Sequence, residues 1–124
     1  LGLHADATQA QMLAAWRTWL SATVTWRPAL LSEVGAAAEA RTLDNPAIPN
    51  TPGTPLDEGV QDRWFGAACQ AASEVGLNGL YWWKLAFDDD PAHADPVGAP
   101  HDSFLGRTAE AGMRQCFAQW SSRK

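Results

Sequence analysis

Residues 28–35 read Pro-Ala-Leu-Leu-Ser-Glu-Val-Gly, and this stretch decides the predicted fold. Its nearly continuous apolar run is typical of a strand that is covered on both faces. Pro28 ends any preceding helix, because proline lacks the N–H group that helical hydrogen bonding requires. We therefore expect a strand over residues 29–34 that delivers one carboxylate, Glu33, to a glycine turn at Gly35.

A second apolar run, residues 77–84, reads Leu-Asn-Gly-Leu-Tyr-Trp-Trp-Lys and predicts a strand over residues 79–86. Its aromatic pair, Trp82 and Trp83, arrives where the next loop begins. Neighbouring side chains of a strand point to opposite faces of the sheet. One indole is therefore expected to point to the inner side of the sheet and the other toward the helices. If the two strands are parallel, a carboxylate and an indole at their ends predict a site that handles sugars.

Capping signals place a helix before each strand. Thr8 and Gln11 form a capping box that opens a helix over residues 10–22. Asp57 can cap the second helix, and Gly76 supplies its C-terminal stop. These signals separate each strand from the helix before it by only a short link.

The order helix, strand, helix, strand, helix predicts β-α crossover units and a parallel sheet. A last helix is expected near residues 109–120, and the long loops, residues 36–56 and 88–106, both follow strands. The first long loop carries prolines spaced by threes, at positions 46, 49, 52 and 55. Long loops after strands are typical of the (β/α)8 TIM barrel, whose active-site loops lie beyond the strand C-termini.

The expected fold is therefore α/β, the C-terminal part of a (β/α)8 TIM barrel, with residues 1–124 forming a single partial domain. Two strands cannot close a barrel of eight. The upstream strands are expected from missing sequence or from another chain, which would be a partner of this one.

Composition excludes several classes of partner. The chain has 124 residues, 46% of them hydrophobic, and a formal net charge of −5, which is typical of a globular domain and argues against nucleic acid. No apolar run reaches the roughly 20 residues that a membrane helix needs, so no membrane partner is expected. Whether the protein is secreted or cytoplasmic is left open.

Seven Trp residues are many for this length, and an indole either fills a core or offers a flat surface for stacking. We expect Trp16, Trp64 and Trp120 in the core. The two cysteines, Cys69 and Cys116, both fall on predicted helices, where buried free thiols are favoured over a disulfide.

Three motifs together carry a resemblance to a known family. The strand motif of residues 30–35 resembles the seventh strand of clan A glycoside hydrolases, and residues 79–84 resemble the eighth. Residues 104–110 are similar to the start of the family's final helix, although Leu105 and Thr108 replace prolines there and Arg107 replaces a Lys. The group most similar to this chain is glycoside hydrolase family 113, the β-mannanase-like enzymes.

The resemblance implies a retaining glycoside hydrolase that acts on β-linked, mannan-like polysaccharide or oligosaccharide. Glu33 would be the catalytic nucleophile. Trp82, slightly preferred over Trp83, would form the floor of the sugar subsite beside the cleaved bond. The family takes its acid/base from the fourth strand as Asn followed by Glu, and this sequence contains no such dipeptide. The chain alone is therefore expected to be inactive.

Other polar residues have weaker claims to a role at the site. Lys84 could pair with Glu33 or with sugar hydroxyls, His4 is a candidate for hydrogen bonds to the sugar, and no metal or cofactor is predicted. The acidic run at residues 88–90 could bind Ca²⁺, but a solvated turn is favoured. The alternative function is a non-catalytic carbohydrate-binding or structural half-barrel module, in which Glu33 is a structural acid.

Overall fold

The computed structural model describes residues 1–44, 53–85, 87–95 and 99–122. The predicted order of elements is confirmed: α1 (Gln9–Thr23), β1 (Leu30–Gly35), α2 (Glu58–Glu74), β2 (Gly79–Trp83) and α3 (Thr108–Ser121). Two short 3₁₀ helices, Thr42–Asp44 and Pro91–His93, lie in the long loops. The two strands pair in parallel, as expected.

The predicted helix boundaries also hold. The Thr8 side chain accepts from the backbone N–H of Gln11, and the Gln11 side chain accepts from the N–H of Thr8, which completes the capping box. Asp57 caps α2 by accepting from the N–H of Val60. Gly76 follows α2 with a φ of +72°, a left-handed conformation that glycine adopts at no steric cost.

The sheet contains an irregularity that reorients β1. The paired residues are Leu30 and Gly79, Leu31 and Leu80, Val34 and Trp82, and Gly35 and Trp83. Two residues, Ser32 and Glu33, therefore stand opposite the single residue Tyr81, which is the arrangement of a β-bulge. As a result Val34 points into the core, whereas Ser32 and Glu33 are both exposed.

Helix α2 is the centre of the packing. It contacts α1, α3 and both strands. Its side chains that are buried are Val60, Gln61, Trp64, Phe65, Ala67, Ala68, Ala71 and Ala72. The small alanine side chains let the neighbouring helices approach closely. One face of the sheet is thereby covered, and the opposite face, which we call the outer face, presents Ser32, Glu33, Tyr81 and Trp83.

The expected partial TIM barrel is wrong. The described residues form three helices and a two-stranded parallel sheet, a mixed α/β arrangement without the helix–strand repeats of a barrel segment. Helix α2 packs chiefly against α1 and α3, so the helices share a core of their own. Alternating elements specify crossover connections, but they do not specify how many strands join the sheet or whether it curves closed.

The preference for free thiols is also wrong, because Cys69 and Cys116 form a disulfide that joins α2 to α3. Their Cα atoms are 6.2 Å apart, within the usual range for a bridged pair. Sequence spacing could not show this, since the contact depends on how the two helices pack.

Two of the three indoles expected in the core are buried. Trp16 and Trp64 lie with their ring centroids 5.0 Å apart between α1 and α2, and Trp120 packs against the same core while half-buried. At the surface, Arg17 donates two hydrogen bonds to Glu74 and joins the same two helices. This guanidinium lowers the pKa of Glu74 to about 2.

The predicted end of the second strand and three of the loop prolines differ from, or lie outside, the part of the chain that the structure describes. Strand β2 ends at Trp83, earlier than predicted, and Ala86 lies outside the described residues, as do three of the four loop prolines, at positions 46, 49 and 52. The peptide bond between Trp83 and Lys84 is cis. None of the described helices is both long and apolar enough to cross a membrane.

Replacing both Cys69 and Cys116 by Ser is expected to lower the free energy of unfolding by about 2–4 kcal/mol. The disulfide closes a loop over a sequence separation of 47, and opening it gives the unfolded chain more conformational freedom. Chemical denaturation with and without reductant measures the loss. The double variant is the control, because reductant should leave its transition unchanged; an unaltered protein that is equally insensitive to reductant would contradict the expectation.

Candidate functional site

The outer face brings Glu33 and Trp83 together. Trp83 pairs with Gly35, and a Cβ atom built on Gly35 would lie 3.2 Å from Trp83 Cβ and 3.3 Å from its Cδ1, so the indole lies against this glycine. Glu33 precedes Gly35 by two residues on the same face, a spacing of about 7 Å along a strand. Glu33 and Trp83 therefore lie on the same face of the sheet, and both side chains are exposed.

The two candidate indoles point in opposite directions, and the structure reverses the preference between them. Trp82 packs into the core, with its ring centroid 4.8 Å from that of Phe65 and 6.3 Å from that of Phe117. Trp83 is 46% exposed on the outer face, and Tyr81, 64% exposed, lies two residues before it. Trp83 is therefore the indole available for stacking.

Lys84 lies where β2 ends and joins Trp83 at the site. Its Nζ is 5.8 Å from the centroid of the Trp83 ring and 3.3 Å from Oδ2 of Asp102. The backbone N–H of Lys84 also donates to the carbonyl of Asp102, at 3.3 Å. Asp102 thus holds both the backbone and the side chain of Lys84.

The loop that carries Asp102 is organised by a buried cation. The guanidinium of Arg107 donates to the backbone carbonyls of residues 99, 100, 101 and 103. Burial lowers the pKa of Arg107, while the nearby carboxylates of Glu58 and Asp102 oppose that effect. Because one rigid side chain binds four carbonyls, the loop has a defined shape, and Asp102 has a defined position.

A partly buried pair, His101 and Glu39, joins this loop to the segment after β1. His101 Nδ1 lies 2.9 Å from Oε1 of Glu39, whose side chain is only 3% exposed. The N–H of Ala38 donates to the carbonyl of His101 at 2.7 Å. From α2, the Gln61 amide donates to the carbonyl of Ala36 at 2.9 Å. A loop carboxylate is thus buried here beside a partner that sequence alone does not show.

His4 and the acidic run take up other positions. His4 lies in the segment before α1, close to Asp44, which accepts from the N–H of Ala5. Hydrogen bonds from His93 and from the N–H of Ala92 lower the pKa of Asp90, whose side chain is 56% exposed. Within the part of the chain that the structure describes, no group of three or more His, Cys, Asp or Glu residues could hold a metal ion.

The arrangement offers three chemical functions to a ligand on the outer face. The carboxylate of Glu33 can accept hydrogen bonds or act as a nucleophile, the ring of Trp83 can stack, and Lys84 can donate. Two carboxylates near this end of the sheet, Glu39 and Asp102, are buried, with Glu39 2.9 Å from His101 and Asp102 3.3 Å from Lys84. Neither is exposed enough to serve as a second carboxyl beside Glu33.

Comparison of the chain with protein families, with characterised proteins and with solved structures finds no match. A functional assignment therefore has to rest on the site itself.

Replacing Gly35 by Ala is expected to displace Trp83 and to lower the free energy of unfolding by about 1–2 kcal/mol, because the added methyl group would lie only 3.2 Å from the Cβ and 3.3 Å from the Cδ1 of Trp83. The chemical shift of the Trp83 indole N–H and a denaturation curve report the two effects. Gly79→Ala is the matched control, since a Cβ at Gly79 would meet nothing within 4 Å. A normal indole signal in the Gly35 variant would refute the proposed contact.

Proposed function

We propose that this chain supplies the nucleophile and the stacking platform of a retaining glycoside hydrolase that acts on β-linked, mannan-like glycans. The observation that carries the proposal is that Glu33 and Trp83 are both exposed on one face of the sheet, with Trp83 paired to Gly35, two residues after Glu33. A strand holds a nucleophile in a fixed position better than a mobile loop does, which suits an attack that depends on precise geometry.

Substrate binding in this proposal depends on Trp83. The apolar C–H face of a sugar ring packs on the exposed indole, and Tyr81 extends the surface along the strand. The ammonium of Lys84 donates to sugar hydroxyls. These contacts set the sugar ring beside Glu33.

In the proposed reaction an oxygen of Glu33 attacks the anomeric carbon. A bond forms between that carbon and the carboxylate oxygen while the glycosidic bond breaks, and a second carboxyl group protonates the departing oxygen. Water then attacks the anomeric carbon, gives its proton to the second carboxyl, and releases Glu33 as a carboxylate. Since Glu39 and Asp102 are buried, we propose that another polypeptide segment or another chain supplies this second group.

The disulfide between Cys69 and Cys116 supports a location outside the cell for the proposed activity. Disulfides persist mainly in oxidising environments such as the extracellular space. A secreted protein that meets polysaccharide outside the cell is therefore favoured over a cytoplasmic one.

Trp83→Ala is expected to weaken the binding of a β-linked manno-oligosaccharide by about tenfold or more, because the stacking surface is lost. Isothermal titration calorimetry measures the affinity. Trp26→Ala is the control, since Trp26 is exposed and lies outside both strands, in the segment between α1 and β1. Equal losses in the two variants would show that Trp83 is not the platform.

A fluorosugar with an activated leaving group is expected to label Glu33 covalently. Such a leaving group departs without an acid catalyst, so the chain can be tested without the second carboxyl group. Intact mass and peptide mapping detect the adduct. Glu33→Gln should remain unlabelled, whereas Asp88→Asn should be labelled like the unaltered protein. Labelling at any other residue would remove Glu33 from the mechanism.

A non-catalytic carbohydrate-binding module is the second candidate. The observation that favours it is that the stacking surface, Tyr81 and Trp83, is exposed, whereas the carboxylates of Glu39 and Asp102 are buried. The two experiments above separate the candidates, since a module would bind the oligosaccharide through Trp83 and leave Glu33 unlabelled.

A further inference from the structure

The outer face offers a sugar one cationic side chain from the described residues, Lys84, which lies close to the Trp83 ring. The described arginines do not add to this charge. Five of them bind carboxylates or backbone carbonyls, and Arg63 lies on α2; the five are Arg17, Arg27, Arg41, Arg107 and Arg114. The charge of Lys84 therefore decides how this face responds to a charged ligand.

Asp102 compensates that charge. Its carboxylate is 6% exposed and lies 3.3 Å from the Lys84 ammonium, which is itself 35% exposed. Two charges this close and partly shielded from water largely cancel at a distance. The compensation is built in, because the backbone bond from Lys84 to Asp102 and the Arg107-organised loop hold the carboxylate in place.

The remaining charges on this side are negative. Arg107 lies near the carboxylate of Glu58 as well as that of Asp102, so these two acids together offset the charges of Arg107 and Lys84. Glu39 is paired with His101. Glu33 then contributes an exposed negative charge on the outer face itself, and Asp88 is exposed in the loop that follows β2.

We infer that Asp102 is a specificity-determining residue, which by neutralising Lys84 makes the site reject acidic sugars while Lys84 still donates to hydroxyls. The inference rests on the proposed function. Without Asp102 the ammonium would be a strongly hydrated point charge that pairs readily with a sugar carboxylate. With Asp102 in place, a uronate on Trp83 meets no uncompensated cation there and is repelled by Glu33.

The test compares two ligands of equal length, a β-linked manno-oligosaccharide and an oligomannuronate that differs by a carboxylate on each sugar. By calorimetry at low salt, the unaltered protein should bind the neutral ligand about tenfold more tightly. Asp102→Asn should raise the affinity for the oligomannuronate by about tenfold, the effect of one charge-assisted hydrogen bond, and change the neutral affinity by less than about threefold.

Two further variants isolate the mechanism. Asp88→Asn removes an exposed negative charge from the loop after β2, and it should leave the ligand preference unchanged. Combining Asp102→Asn with Lys84→Gln should abolish the rise in affinity for the oligomannuronate. The inference would be overturned if Asp88→Asn raised the oligomannuronate affinity equally, or if the rise persisted without Lys84. Either result would show that the overall negative charge of the surface, rather than the pairing of Lys84, sets the preference.

Salt dependence of the unaltered protein provides a test that needs no variant, in case Asp102→Asn does not fold. A compensated Lys84 gives no attraction for salt to screen, so oligomannuronate affinity should stay level or rise with salt. An affinity that falls with salt would overturn the inference. If neither ligand binds, the proposed function fails as well; if the neutral ligand binds and Asp102→Asn keeps the original preference, only the inference fails.

Discussion

The packing of α2 is the constraint on which the rest of the structure depends. Its alanine-rich apolar surface contacts α1, α3 and both strands, so this helix supplies more of the buried core than any other element does. Because these contacts cover one face of the sheet, every side chain that points the other way is left exposed. The outer face, with its carboxylate and its indole, is a consequence of that one-sided packing.

Within the sheet, the bulge and one glycine arrange the candidate site. Inserting an extra residue opposite Tyr81 lets Val34 reach the core while Glu33 faces outward, and Gly35 leaves room for the Trp83 ring. Behind them, buried polar pairs hold the loop that carries Asp102 against the ends of the strands. The exposed end of β2 is therefore held by a loop whose own charged side chains are paired or hydrogen-bonded.

Local features of the chain were predictable because their causes are local. The capping box at Thr8 and the stop at Gly76 act over a few residues, and the apolar periodicity marked each helix and strand. The choice between Trp82 and Trp83 was not predictable, since alternation shows that they oppose each other but not which one faces the core. The bulge and the burial of Glu39 could not be predicted from the sequence either, because each depends on a partner distant in sequence.

The sequence by itself determined the order of the elements, the parallel pairing and the presence of one carboxylate on an apolar strand, because these follow from hydrophobic pattern and turn chemistry. Only the tertiary structure decided that the sheet has two described strands rather than a barrel arc, that Cys69 and Cys116 are bridged, and that Asp102 neutralises Lys84. The physical reason is that these outcomes depend on distances between residues far apart in the chain, which packing sets and no local pattern encodes.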